Sequence, residues 1–378
     1  MKKAIVLALL LSAVLSHAYW PRSFKALPPR VIPDAWSIGL GHNGLALTDP
    51  AGIGYLNPAS LAQSQKLRVT WAHAFNVPDE PRYYWGTASD FIGASYLLKP
   101  GLGIGFSLYY FNLGEYEIVN ERGEYLGRGR ALDLAPTVAI GYQALPKLSV
   151  GGSATFIYSN QVYYDWCMIR GPYDAFGFKV DGGLQYRAAD WLNLGFALQS
   201  LGPNLQYSDS LTDTLPLTFG FGWEIKPAAI GPFEILLVSD IARDLTADSL
   251  PKTGHGFLDC WEEFSKGIGL ELSFARIVKV RLGYSEDILN EQGGIIVGER
   301  YPLNEQGGIM VGEEQYSLRH ISLLRFLTEK DVGKFQSWGL CWGVGLEFKG
   351  FALDFGVDEN IYDYSSENLR LQFSCKLR

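Results

Sequence analysis

Along most of this chain, large apolar residues alternate with small or polar ones, the period-two pattern of strands whose two faces meet different surroundings. Leu215, Leu217, Phe219, Phe221, Trp223 and Ile225 share one face, with Thr218, Gly220, Gly222 and Glu224 opposite. Leu102, Ile104, Phe106, Leu108 and Tyr110 oppose Gly103, Gly105 and Ser107, and Leu192, Leu194, Phe196 and Leu198 oppose Asn193, Gly195 and Gln199. Near the end, Leu369, Leu371, Phe373, Cys375 and Leu377 oppose Arg370, Gln372, Ser374 and Lys376. The pattern predicts strands near 67–75, 82–98, 102–112, 131–143, 147–159, 175–188, 191–200, 215–226, 231–242, 266–275, 277–286, 336–348, 351–359 and 367–377.

Alternation is shared by soluble sandwiches and membrane barrels, so the links between strands decide. Pro100-Gly101, Leu145-Pro146, Ala189-Asp190, residues 227–230, Arg276 and Lys349-Gly350 are tight, whereas the intervening links are long and rich in charge, Gly, Pro, Asn and Ser. Short turns at one end and long loops at the other predict an all-β fold, a transmembrane antiparallel up-and-down β-barrel of about 14 strands, with the short turns periplasmic. An even strand number returns both termini to the periplasm. The barrel is expected over 67–378. Its longest loop, 287–335, holds a 14-residue tandem duplication, LNEQGGIIVGERYP at 289–302 and LNEQGGIMVGEEQY at 303–316. Two copies do not stack into a solenoid, and a loop that accepts such an insertion lies outside the packed scaffold. Tyr109, Tyr110, Tyr158, Tyr163, Tyr164, Trp191 and Trp338 fall towards strand ends and read as interfacial girdles.

Composition adds the compartment. Glycine supplies 43 of 378 residues, above the usual ~7%, which with the abundant aromatics favours strands over helix. Lys2 and Lys3, an apolar run over 4–15 and Ser16-His17-Ala18 read as a signal peptide over 1–18. That run falls short of the roughly twenty residues a spanning helix needs, so a bacterial outer membrane is the expected destination. The formal charge of -8, without a basic stripe, excludes nucleic acid as a partner. Export permits disulfides, and Cys167 with Cys260 is the expected pair.

Candidate chemistry is sparse. His42, His73, His255 and His320 show no metal-ligand spacing, and no nucleophile elbow, zincin helix, phosphate loop or calcium loop is present. The chain is read as non-enzymatic, with neither cofactor nor metal. On the faces expected to line the lumen stand Lys179, Asp181, Arg187, Glu224, Glu271, Lys279, Arg281, Glu347, Asp354 and Arg370. Isolated charges are expensive to bury, so these are expected to pair inside the barrel rather than to form a selective solute site.

The segment before the first strand runs SIGLGHNGLA over 37–46, then Thr48-Asp49-Pro50-Ala51, then YLNPASLA over 55–62. It resembles the FadL superfamily and, within it, the PorV/PorQ branch, where a glycine-rich stretch and an Asn-Pro-Ala-x-Leu-Ala motif precede the barrel. The resemblance implies fourteen strands and an N-terminal segment, here 19–66, folded into the lumen as a small plug. Gly39, Gly41, Gly44, Asp49, Asn57, Pro58 and Ala59 are the residues that carry it. Physically, the glycines permit tight turns, and Asn57-Pro58 favours a turn whose Asn side chain caps a following helical turn. The PorV/PorQ likeness implies protein export or surface attachment of the type IX secretion kind, with outer-membrane lipid, secretion components and secreted cargo as partners. The alternative is a FadL-like channel taking up hydrophobic small molecules, in which the plug gates a pocket for a hydrophobic ligand.

Overall fold

The computed structural model describes residues 26, 29, 31–48, 53–64, 66–75, 88–119, 125–165, 168–209, 211–227, 229–246, 264–286, 340–358 and 368–377. The expected signal peptide and Cys167–Cys260 pairing, the duplication, Asp49 and Trp338 lie outside the described residues.

The strands are β1 (Leu67–Ala74), β2 (Ala88–Lys99), β3 (Leu102–Val119), β4 (Tyr125–Leu145), β5 (Leu148–Asp165), β6 (Met168–Ala189), β7 (Leu192–Leu201), β8 (Leu205–Ser208), β9 (Leu211–Asp213), β10 (Thr218–Ile225), β11 (Phe233–Asp244), β12 (Ser265–Phe274), β13 (Val278–Glu286), β14 (Leu340–Phe348), β15 (Phe351–Asp358) and β16 (Asn368–Leu377). All but β8 and β9 close into one antiparallel barrel of fourteen strands. Neighbours in the wall are neighbours in sequence, except where β7 pairs with β10 and where β1 pairs with β16 to close the ring. Closure leaves no strand edge whose amides would face hydrocarbon unpaired.

The alternation resolves into an inside-out protein. On β14, Leu340, Trp342, Val344, Leu346 and Phe348 are exposed while Cys341 is buried, and Gly343 and Gly345 share its inward face. Around the wall, the fully buried side chains include Arg281 and Arg370, whereas Phe106, Phe178 and Leu282 stand more than half exposed. A water-soluble barrel would place these groups the other way round; an apolar belt around a polar lumen belongs in a bilayer. At the tight ends, Lys349 and Gly350 both take left-handed backbone, with φ of 50° and 87°, as a two-residue hairpin requires for its twist to match the strands.

Three features differ from the sequence expectation. The segments after 112 and 159, and those before 131 and 175, are not loops. β3 to β6 run for 18, 21, 18 and 22 residues, about twice the 9–11 that cross a bilayer, and so extend as a four-stranded wing from the end opposite the tight turns. Strand pairing continues through these outer halves, and the register sets Glu115 opposite Arg130 and Glu117 opposite Arg128. Second, Leu215 and Leu217 do not face outwards. They are buried, Leu215 packing with Leu205 and Tyr207, because β8 and β9 form a separate ribbon and β10 begins only at Thr218. Third, Tyr109 is no girdle residue, since it points into the lumen with 2% exposure.

The outward face generates a direct test. Val344 lies at the middle of β14 and is 45% exposed, so Val344→Arg is expected to destabilise the barrel by about 2–4 kcal/mol in lipid vesicles, the midplane cost of a charge. Urea unfolding measures this, and a cost near zero would place the residue in water.

Candidate functional site: a plug inside the lumen

Ahead of β1, the described residues place two short helical turns inside the barrel. The helix Ala35–Gly39 is capped by Asp34, whose carboxylate accepts from Ser37 N at 2.8 Å. The 3-10 turn Pro58–Gln63 is capped by Asn57, whose Oδ1 accepts from Ala59 N at 3.1 Å. The helix packs against β13 to β16 and the 3-10 turn against β2 to β6, so together they bridge the lumen.

Room for this backbone comes from glycines on the inner face. A Cβ at Gly103 would strike the Leu61 carbonyl, one at Gly151 the Pro58–Ala59 peptide, one at Gly195 Leu45, one at Gly283 Gly41 and one at Gly356 Ala35. These glycines let two backbones approach within contact, not only bend. The plug reciprocates. Gly41 takes φ of 75°, whereas Gly39 lies against Gly343 and Gly44 against Leu56. Only Gly41 therefore serves the turn that the sequence suggested for all three.

Partners for the plug's amides and carbonyls come chiefly from uncharged side chains. Asn57 Nδ2 donates to the carbonyls of Leu45 (2.7 Å), Leu184 (3.1 Å) and Phe196 (3.3 Å), joining the plug to itself, β6 and β7. Gln185 Nε2 donates to the Leu45 and Leu47 carbonyls, Gln199 Nε2 to Leu56, and Gln372 Oε1 accepts from Ala35 N. Asp240 Oδ2 accepts from both Gly44 N (2.6 Å) and Leu45 N (2.9 Å). Gln185, Asp240 and Asp34 were not singled out from the sequence. Gln199 and Gln372 stood on the inward face of the alternation, which was the available signal.

The charged candidates mostly pair with one another. Lys179 and Asp181 meet at 2.7 Å. Arg281 spans Glu271 (2.7 Å) and Asp354 (2.8 Å), with Trp36 of the plug over its guanidinium at 5.6 Å. Glu347 accepts from Lys279 and Lys376. Glu224 reaches the plug, accepting from Thr48 Oγ1 at 3.2 Å beside Lys226. Arg187 is exposed at the tight-turn rim, where Nη2 donates to Gln63. Arg370 is fully buried, and its charge acts on Asp34, Tyr55 and Asp358.

Burial pushes the Asp34 carboxyl above its ordinary range, against the Ser37 hydrogen bonds and Arg370, and pushes the Tyr55 phenol well up. For His42 burial works the other way, yet the Asp358 carboxylate at 2.8 Å outweighs it and holds the imidazole well above its usual value. On the plug's other flank, Tyr55 packs edge-on against Phe91 (6.2 Å between ring centroids) and Tyr109 (6.0 Å). Tyr109 in turn meets Phe91 at 5.7 Å and Phe111 at 4.3 Å. This is an aromatic cluster inside a largely polar lumen.

No protein-family model matches the chain, and no curated protein matches it in sequence. Solved structures match in fold. The CymD monoaromatic hydrocarbon channel is 11% identical over 92% of this chain and 98% of its own, with a TM-score of 0.54. The Pseudomonas putida toluene transporter TodX is 11% identical over 89% and 95%, with a TM-score of 0.50. A Pseudomonas aeruginosa FadL homologue aligns at 9% identity over 92% and 98%, with a TM-score of 0.46. The chain thus shares the fold of the CymD channel and the TodX transporter, its own strands closing into a barrel of fourteen.

Matched substitutions test the fit between plug and wall. Gly283→Val brings side-chain atoms onto the Gly41 backbone, whereas a Cβ at Gly182 meets nothing within 4 Å. Gly283→Val is therefore expected to cost about 1–3 kcal/mol of stability, as overpacking does, or to speed cleavage of the plug by added protease. Gly182→Val should do neither, and equal effects at both positions would remove the contact argument.

Proposed function

We propose that this chain is an outer-membrane channel for hydrophobic small molecules, with its tight turns and both ends of the barrel chain towards the periplasm. The observation that carries the reading is the cluster of Tyr55, Phe91, Tyr109 and Phe111 inside the barrel. The rings are buried against one another and against Ile53 and Leu61 of the plug, so a shift of the plug would open an aromatic surface that stacks with an apolar solute and offers little to a polar one. The fold shared with CymD and TodX supports the same reading. The plug lies beside this cluster, so a solute that reaches it meets the plug on its way through.

The export reading rests on the Asn57-Pro58-Ala59 motif. That motif already has a structural role, wedging the plug against Gly151 and Gly183 and bonding to β6 and β7, which any plugged barrel needs. No observation on the wall favours a protein cargo over a small apolar solute.

Cells carrying the protein in their outer membrane are expected to take up labelled toluene several-fold faster than cells without it. Phe91→Asn should cut that increment about tenfold, the effect of roughly 1.4 kcal/mol lost from a stacking site. An unchanged uptake rate, together with loss of surface-displayed proteins on deletion, would overturn the channel in favour of export.

A further inference from the structure

One group of side chains at the plug–wall boundary has the chemistry of a ligand site. His42 of the plug places Nε2 2.8 Å from Asp358 Oδ2. Cys341 Sγ lies 3.8 Å from Asp358 Oδ1, and a donor atom from each of the three lies within 4.8 Å of the others. Cys341 and Asp358 are register partners on β14 and β15, both buried, so two paired strands fix their spacing. Ser285 Oγ, on β13, stands 3.7 Å from the sulfur, as an outer partner for a thiolate.

We propose that His42, Cys341 and Asp358 bind a divalent transition-metal ion of the zinc type, and that the ion fastens the plug to the barrel wall. The donor set decides the class of ion. Calcium and magnesium take oxygen ligands, whereas imidazole nitrogen, thiolate sulfur and carboxylate oxygen together suit zinc. The spacing is close to what such an ion needs. Bonds of about 2.0–2.3 Å in a tetrahedron set ligand atoms roughly 3.3–3.8 Å apart, so the Nε2–Oδ2 pair opens slightly and the sulfur draws in. The ion replaces the proton shared by His42 and Asp358 and the proton on Cys341, both released to solvent. Three protein ligands leave the fourth position to water. Because one ligand comes from the plug and two from the wall, binding stabilises the plugged arrangement over any in which His42 has moved away. The inference does not depend on which solute the channel carries.

The test uses tag-free full-length protein in detergent, treated with chelator and titrated with Co2+ and then Zn2+. The wild type is expected to show a thiolate-to-cobalt charge-transfer band in the near ultraviolet and intense tetrahedral visible bands, both displaced by Zn2+. Cys341→Ser should abolish the charge-transfer band, and His42→Gln and Asp358→Asn should each weaken Zn2+ binding at least tenfold, or about 1.4 kcal/mol. Each variant is checked for the heat-modifiable gel shift of a closed barrel. Absence of the band in the wild type, its persistence in Cys341→Ser, or unchanged Zn2+ affinity in folded His42→Gln would overturn the site and leave a His–Asp ion pair beside a buried thiol.

Discussion

A peptide backbone laid inside a closed barrel needs two things from the wall, space and hydrogen-bond partners, and the inner surface of this molecule is arranged around both needs. A buried amide or carbonyl left without a partner costs free energy that no packing recovers. Glycines at Gly103, Gly151, Gly195, Gly283 and Gly356 provide the space. Gln185, Gln199, Gln372 and Asp240 provide the partners, and Asn57 of the plug adds its own amide. The preference for amides has a physical basis, since an amide offers donor and acceptor together and carries no charge to desolvate.

Most of the charges that enter the lumen pair with one another. Arg281 lies between Glu271 and Asp354, and Lys179 against Asp181, so most contacts that hold the plug are neutral. Wall carboxylates meet plug side chains where Asp358 lies close to His42 and where Glu224 accepts from Thr48. Outside, the same strands present Phe, Leu and Val to lipid. Each strand thus satisfies two solvents at once, and the small inward residues follow from the filled lumen rather than from strand propensity.

How much of this was legible depends on whether a residue's signal is local. The barrel strands show because a boundary between hydrocarbon and polar lumen enforces a period of two, and the tight turns at Pro100-Gly101 and Lys349-Gly350 mark their ends. The outer halves of β3 to β6 were hidden because their charged, glycine-rich stretches, such as Gly127-Arg128-Gly129-Arg130, read as loop until the register pairs them. Leu215 and Leu217 misled because they continue the parity of Phe219 while belonging to a different element. Inside, Asn57 was legible through its place before a proline, whereas Gln185 and Asp240 carry no mark until β6 and β11 are wrapped around Leu45. The grouping of His42 with Cys341 and Asp358 was invisible for the same reason, since motif spacing reads neighbours in sequence and these residues become neighbours only when the barrel closes.

The pairing of β1 with β16 has a consequence for the order of assembly. The 3-10 turn Pro58–Gln63 finds its wall in β2 to β6, in the first half of the barrel chain that follows it. Ala35, by contrast, waits for Gln372, which lies 337 residues further along the chain. The plug's first helix thus rests chiefly on β14 and β15, and its seat is complete only when the last strand seals the seam. Contacts of such long sequence separation form late and slowly, so the seam and the plug's leading end mature as one event.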